Sequence, residues 1–336
     1  MITCSPSRLE SAAWQRELAQ AVTDPAELLR LIGLSPADRP DTQLLGNDFT
    51  LRVPRYFIEL MRRGDPDDPL LLQVLPRVQE TETSEGYVSD PVGDLDAAQQ
   101  DGLLQKYARR ALLVTTGACA VHCRYCFRRH FPYVDLTGRQ QSQAAIDHLA
   151  QRPDIDEVIL SGGDPLSLSD ERFADIVSRL EGLAHVRRLR VHTRTPVVLP
   201  SRITAGLVGR LADSRLQTVI VLHINHPNEV SDTLAQALEP LRTAGIHLLN
   251  QSVLLKSIND DADTLAKLSD SLLGIGVMPY YLHLLDPVAG AAHFDVPLER
   301  AKSLLDALRE RLPGYLVPRM VRELPGKPYK MPITRL

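Results

Sequence analysis

Three of the four cysteines fall within eight positions, Cys119-Ala-Val-His-Cys123-Arg-Tyr-Cys126, a C-x3-C-x2-C run. Three thiolates can hold three irons of a cubane [4Fe–4S] cluster and leave the fourth iron open to a substrate that chelates it. Structural clusters and structural zinc usually take four protein ligands. The missing fourth cysteine therefore points to turnover. The competing reading of the spacing is a zinc site completed by His122 or His130. Cys4 stands apart near the N-terminus and reads as a free thiol without a role. Four cysteines are too few for a disulfide framework in 336 residues, so the run fits metal ligation in a reducing compartment.

The elements that must position this loop are legible as texture. From residue 111 onward, short apolar runs at 111–115, 157–161, 189–193, 218–224, 247–253 and 278–284 alternate with helical patterns at 140–151, 169–183, 204–212, 230–244, 262–273 and 298–312. Six strand–helix alternations predict parallel βα units, because parallel neighbours need a crossover and the crossover is usually a helix. The reading is an α/β fold, a partial (β/α)6 TIM-like barrel, with a doubly wound sheet as the pattern-level alternative. Residues 1–100 read as an N-terminal helical region, with helical spacing at 7–21, 25–32 and 54–63 and a polar loop at 80–94. Residues 101–315 form the barrel and 316–336 a C-terminal segment. In such barrels chemistry gathers at the carboxyl ends of the strands. The cysteine run, Gly162-Gly163-Asp164, Arg194, His223, Gln251 and Asp286 all follow or end successive predicted strands.

A net charge of −4 and a pI near 6.2 provide no global basic field, so neither nucleic acid nor a membrane surface is an expected partner. There is no run of about 18 apolar residues and no signal-peptide pattern at the start, and the expected location is the cytoplasm.

The cysteine run, within residues 117–132, resembles the radical S-adenosylmethionine superfamily in spacing and in placement after the first barrel strand. The resemblance implies that S-adenosylmethionine chelates the open iron and is split by one electron from the cluster to give a 5′-deoxyadenosyl radical. A flavodoxin- or ferredoxin-type protein would supply that electron. Gly162-Gly163-Asp164 matches the family element that receives the methionine ammonium. Thr193-Arg-Thr-Pro-Val-Val-Leu-Pro200, His223-Ile-Asn-His-Pro-Asn-Glu229, Asn250-Gln-Ser-Val-Leu-Leu255, Pro279-Tyr-Tyr281 and His293-Phe294 resemble one branch, the lysine 2,3-aminomutases. Within this set Arg194, His223, Asn225 and Gln251 are the expected contacts to adenosine and methionine.

The aminomutases carry pyridoxal 5′-phosphate on a lysine in a segment ending Gly-Lys-Thr-Pro. Tyr329-Lys330-Met331-Pro332 fits that context better than Lys327 does. The resemblance further implies that Lys106, Tyr107 and Arg110 hold the cofactor phosphate; for Lys106 the alternative is a solvated basic face on a short helix. Arg128 matches the arginine for the substrate carboxylate. Asp286 and Glu323 match the acids for the distal ammonium of L-lysine, Glu323 replacing a usual Asp. Two acids weaken a glutamate-specific reading. The motif Cys-Arg-Tyr-Cys-Phe-Arg-Arg-His-Phe at 123–131, Leu316-Val-Pro318, and an end six residues past Lys330 resemble the short bacterial forms. Those forms make (R)-β-lysine for elongation factor P, which a separate ligase attaches. Catabolic lysine or glutamate 2,3-aminomutation is the alternative. From a different class, so is a zinc or iron–sulfur module that binds RNA or protein through Arg124, Arg128 and Arg129.

Overall fold

Residue-by-residue alternation builds the sheet. In a computed structural model that describes residues 6–43 and 49–333, with backbone alone for 6–12 and 135, ten strands lie in chain order across one sheet. They are β1 (Ala98–Gln100), β2 (Leu103–Tyr107), β3 (Arg110–Thr116), β4 (Glu157–Gly162), β5 (Arg188–Thr193), β6 (Gln217–Leu222), β7 (His247–Val253), β8 (Met278–His283), β9 (Arg319–Arg322) and β10 (Met331–Pro332). β3 through β9 are all parallel, while β1, β2 and β10 join antiparallel. The result is the expected partial barrel, with a seventh parallel strand, β9, beyond the six predicted. Cys4 lies outside the described residues.

One row of the sheet, Leu113, Leu160, Val191, Ile220 and Leu248, is in register from strand to strand and buried in the main apolar cluster. The alternate row, including Leu112, Ile159 and Arg190, lines an internal cavity. Side chains alternate faces along a strand, so the helix-covered face and the cavity face follow from a period of two. The helices supply the outer layer at a period near 3.6. Asp170–Glu181, capped by Ser169, buries Phe173, Ile176, Val177 and Leu180 on one stripe.

The N-terminal helices Pro6–Ala19, Pro25–Leu31, Arg55–Glu59 and Pro69–Leu72 form a second apolar cluster. Trp14, Phe57 and Leu71 there meet Ala120 and Val121 of the cysteine loop and Val198 and Leu199 after β5. A third cluster, including Leu304, Leu308 and Met320, anchors β9 under the helix Leu298–Arg311.

One expectation is corrected. The short helix weighed for Lys106 is absent: Lys106 and Tyr107 end β2, and Arg110 opens β3 of an antiparallel hairpin. The turn places Arg109 at φ 64°, a left-handed conformation in which glycine or asparagine is the ordinary signal. Among the described residues no helix is long and apolar enough to cross a membrane.

Candidate active site

Loops at the carboxyl ends of β3 to β9 enclose a cavity of about 470 Å³. Into it come Cys119, Cys123, Cys126 and Arg128 from the loop after β3, and Gly162, Gly163 and Asp164 from the end of β4 and the loop after it. Arg194, His223 and Gln251 arrive from β5 to β7, Asp286 from beyond β8, and Glu323 and Lys330 from β9 and the segment after it. Lys106, Tyr107 and Arg110 reach the same volume from the hairpin. Of the site residues expected from sequence, Asn225 alone does not line the cavity. It is buried, with Nδ2 donating to Gln73 and Tyr125 and Oδ1 accepting from the Val253 amide. Lys327 also stays outside, on the C-terminal loop.

The cysteine loop is fixed on both flanks. Arg124, between Cys123 and Cys126, is fully buried and doubly bonded to Glu80, which also takes Arg129. Burial opposes ionisation of Glu80, but the two guanidiniums outweigh it and hold its carboxyl below the usual range. On the other side the loop lies against Gly162-Gly163. A Cβ on Gly163 would sit 2.4 Å from the Ala118 carbonyl, and one on Gly162 would sit 2.6 Å from that of Thr116. Gly162 moreover has φ +124°, so both glycines are required by close backbone approach. Gly163 N–H donates to Thr116 and Asp164 N–H to Ala118. The Asp164 carboxylate is likewise engaged. It accepts from the amides of Leu166, Arg194 and Thr195 and from the Thr193 hydroxyl at 2.7–2.9 Å, and so joins the loops after β4 and β5.

The donor set fits an iron–sulfur cluster. All three thiols are free and line one cavity; burial, with the charge of Cys123, pushes Cys126 up to about 11, and Cys119 is raised as well. Such thiols ionise only against a cation, which iron provides. Neither histidine of the zinc reading is idle: His122 Nδ1 meets the Thr50 carbonyl and its ring stacks on Phe49, and His130 Nε2 meets the Ala289 carbonyl. Among the described residues no three Cys, His, Asp or Glu side chains converge on a single-ion site.

Across the cavity, charges alternate in a ladder. Lys330 bonds Glu323, and Glu323 accepts from Lys106 at 2.9 Å. Lys106 contacts Asp94 at 2.5 Å, Asp94 accepts from Arg128 Nε at 2.6 Å, and Arg128 donates on to Ser161 at 3.0 Å. Burial disfavours the charge of Glu323, but Lys330 and Lys106 prevail and lower it to about 2. Asp94 is lowered in the same way by Arg128 and Lys106. Asp286 differs: burial, reinforced by Glu323, raises it to about 7, and its Oδ1 is buried with no hydrogen-bond partner among the described residues. Burial and Lys330 together lower His283 to about 3. Arg110 lies over the Tyr107 ring at 4.6 Å and faces the cavity without a carboxylate partner among the described residues, whereas Lys106 stands between two acids. Sequence reasoning missed Asp94, Glu80 and Gln73. Each is an ordinary polar residue in a loop or helix end, with no local signal of its distant partner.

Residues 113–269 match the Radical SAM superfamily. The chain is 48% identical to the L-lysine 2,3-aminomutase of Escherichia coli K12, covering 98% of this chain and 96% of that one. It is 46% identical to the L-lysine 2,3-aminomutase of Haemophilus influenzae, covering 96% and 95%. The L-lysine 2,3-aminomutase of Clostridium subterminale is 33% identical over 95% of this chain and 77% of its own length. Identity of this extent along almost the whole chain, on a cavity that gathers three free thiols, means that the chain belongs to the lysine 2,3-aminomutase family of radical S-adenosylmethionine isomerases.

Proposed function

We propose that this radical S-adenosylmethionine aminomutase converts L-α-lysine to (R)-β-lysine with pyridoxal 5′-phosphate on Lys330, in the cytoplasm, for the modification of elongation factor P. The observation that carries the reading is the shared cavity: three cluster-forming thiols, a lysine and an acid whose Oδ1 has no hydrogen-bond partner among the described residues face one volume. The cluster and S-adenosylmethionine supply, when bound, a carbon radical able to take hydrogen from C3 of lysine, and pyridoxal phosphate supplies the carbonyl that tethers the migrating nitrogen.

The residues divide the work by charge. Lys330 provides the amine that holds the cofactor, and Arg110, stacked on Tyr107 and without a carboxylate partner among the described residues, takes its phosphate with Lys106 at the hairpin's end. Arg128 offers its guanidinium edge to the substrate carboxylate. Asp286 is the acid with an unmet need. An incoming ammonium supplies the cation that its raised pKa lacks, and Glu323 adds a second negative charge beside it. Gly162, Gly163, Asp164 and Gln251 border the space left for S-adenosylmethionine next to the cysteines, and His223 closes it through Tyr125 at 3.2 Å. Enclosure keeps water from the radical, and small errors in position cost the correct hydrogen.

The elongation factor P link is supported by the Cys-Arg-Tyr-Cys-Phe-Arg-Arg-His-Phe motif at 123–131. A flavodoxin- or ferredoxin-type donor is the proposed source of the electron. The test is anaerobic reconstitution with iron, sulfide and pyridoxal phosphate, then reduction and incubation with S-adenosylmethionine and either L-lysine or L-glutamate. β-Lysine from lysine is the expected product, and cofactor absorbance is lost in Lys330→Ala. Product from glutamate alone overturns the roles of Asp286 and Glu323. The mass of elongation factor P isolated with and without the active protein tests the downstream link.

A further inference from the structure

Arg194, expected from sequence to touch adenosine or methionine, is turned toward the cysteine loop. Nη1 donates to Cys123 Sγ at 2.8 Å and to the Tyr125 hydroxyl, and Nη2 donates to Gln73 Oε1 at 2.8 Å and Glu229 Oε2 at 3.0 Å. Its side chain is 6% exposed. The guanidinium also lies over the rings of Phe57 and Tyr125.

The partners are themselves committed. Glu229 Oε1 accepts from the amides of Asn225 and His226 and from Gln73 Nε2; Asn225 Nδ2 donates to Gln73 and Tyr125. Gln73, Asn225 and Glu229 are fully buried, and the Gln73 carbonyl accepts the Arg124 amide next to Cys123. An arginine so surrounded has one orientation. Lysine, a point charge without a fork, would not span the sulfur and the acid together.

We propose that Arg194 is a positioning residue that raises the electron affinity of the cluster by donating to the Cys123 sulfur, with Glu229 as the counter-charge that limits the effect. The inference rests on the reading that Cys119, Cys123 and Cys126 carry a [4Fe–4S] cluster. Gaining an electron makes the cluster and its thiolates more negative, so a nearby cation and N–H donor favour the reduced form, and hydrogen bonds to sulfur are an established lever on cluster potential. The contact at Cys123 is closer than the acid behind it, so the positive end prevails. The network reaches back through Gln73 into the N-terminal helical region, which therefore bears on the cysteine loop through these hydrogen bonds as well as through packing.

The test is a redox titration of full-length protein, reconstituted anaerobically, without S-adenosylmethionine, followed by visible absorbance and electron paramagnetic resonance. Iron content is measured first. In Arg194→Gln the ratio of reduced to oxidised cluster at the wild-type midpoint is expected to fall about tenfold, equivalent to 59 mV for one electron. In Glu229→Gln the midpoint is expected to move the opposite way. An iron-loaded Arg194→Gln with the wild-type midpoint overturns the proposal, as does movement of both variants in the same direction, which a general loosening of the loop would cause. If Arg194→Gln folds but does not retain iron, Glu229→Gln decides alone, and a midpoint at or below wild type overturns the proposal. Wild-type protein that binds no iron overturns the cluster reading itself, and this inference with it; the iron assay separates the two failures.

Discussion

The two poles of the cavity are built on opposite principles. At the cysteine pole Arg194, Glu229, Gln73, Tyr125 and Asn225, contributed by separate stretches of the chain, bond one another in a buried network, and Glu80 closes a second one on Arg124 and Arg129. At the lysine pole Lys330, Glu323, Lys106, Asp94 and Arg128 also satisfy one another, yet several of these groups are the ones the proposed ligands need. The first pole is set before anything binds. The second must exchange partners on binding, so its groups stay paired until a ligand substitutes for an internal partner. A cluster tolerates little displacement of its thiolates, whereas a substrate that comes and goes requires contacts of similar strength on both sides of the exchange.

That contrast can be broken in stages. The largest effect is expected from Cys126→Ala, which should retain the wild-type circular dichroism and melting profile while β-lysine falls below detection and iron is lost. The loop serves the cluster more than the core, and wild-type turnover in this variant would remove the basis for a fixed cysteine pole. Next comes Glu80→Gln, which leaves buried Arg124 and Arg129 without a counter-charge. Breaking one side of a buried pair costs about 3–5 kcal/mol, to be read from denaturant unfolding of the apoprotein. A loss under about 1 kcal/mol would show that the loop is held by its other contacts.

At the exchangeable pole Asp286→Asn should stabilise the apoprotein. A carboxyl raised to about 7 when folded, from an ordinary value of 3.8, opposes folding as pH climbs between those values. The gain from Asn is therefore expected to reach at most about 4 kcal/mol above pH 7 and to vanish below about pH 4. Unfolding the two proteins side by side across that range isolates Asp286 from the buried histidines, whose own titration cancels in the difference. A gain that does not depend on pH would contradict the unpaired-acid assignment. The smallest effect is expected from Lys327→Ala, outside the cavity, with turnover unchanged and stability within about 0.5 kcal/mol; loss of cofactor absorbance there would reverse the choice between the two lysines.

Much of the scaffold was legible because its signals are local. Apolar runs of strand length and stripes of helical spacing identified six parallel strands and their helices, and the C-x3-C-x2-C spacing pointed to a three-thiolate cluster with a zinc site as its competitor. The β2–β3 hairpin was missed because its turn uses Arg109 at φ 64° where glycine or asparagine would have announced it. β9 was read only as strand-like, being four residues long. Gly162 and Gly163 were singled out as part of the element that receives the methionine ammonium; the structure brings the cysteine-loop backbone against them, something no count of residues between the two motifs reveals.

By itself the sequence determined the type and order of the chemical groups: three thiols after the first parallel strand, polar residues at the end of each later one, and a lysine near the C-terminus. Only the tertiary structure decided which charge faces which. Lys106 meets Glu323 across 217 positions, and Arg194 meets Gln73 across 121. Ion pairs and hydrogen bonds depend on distance through space and on burial, and both arise only when the parallel strands bring their carboxyl ends together around one cavity.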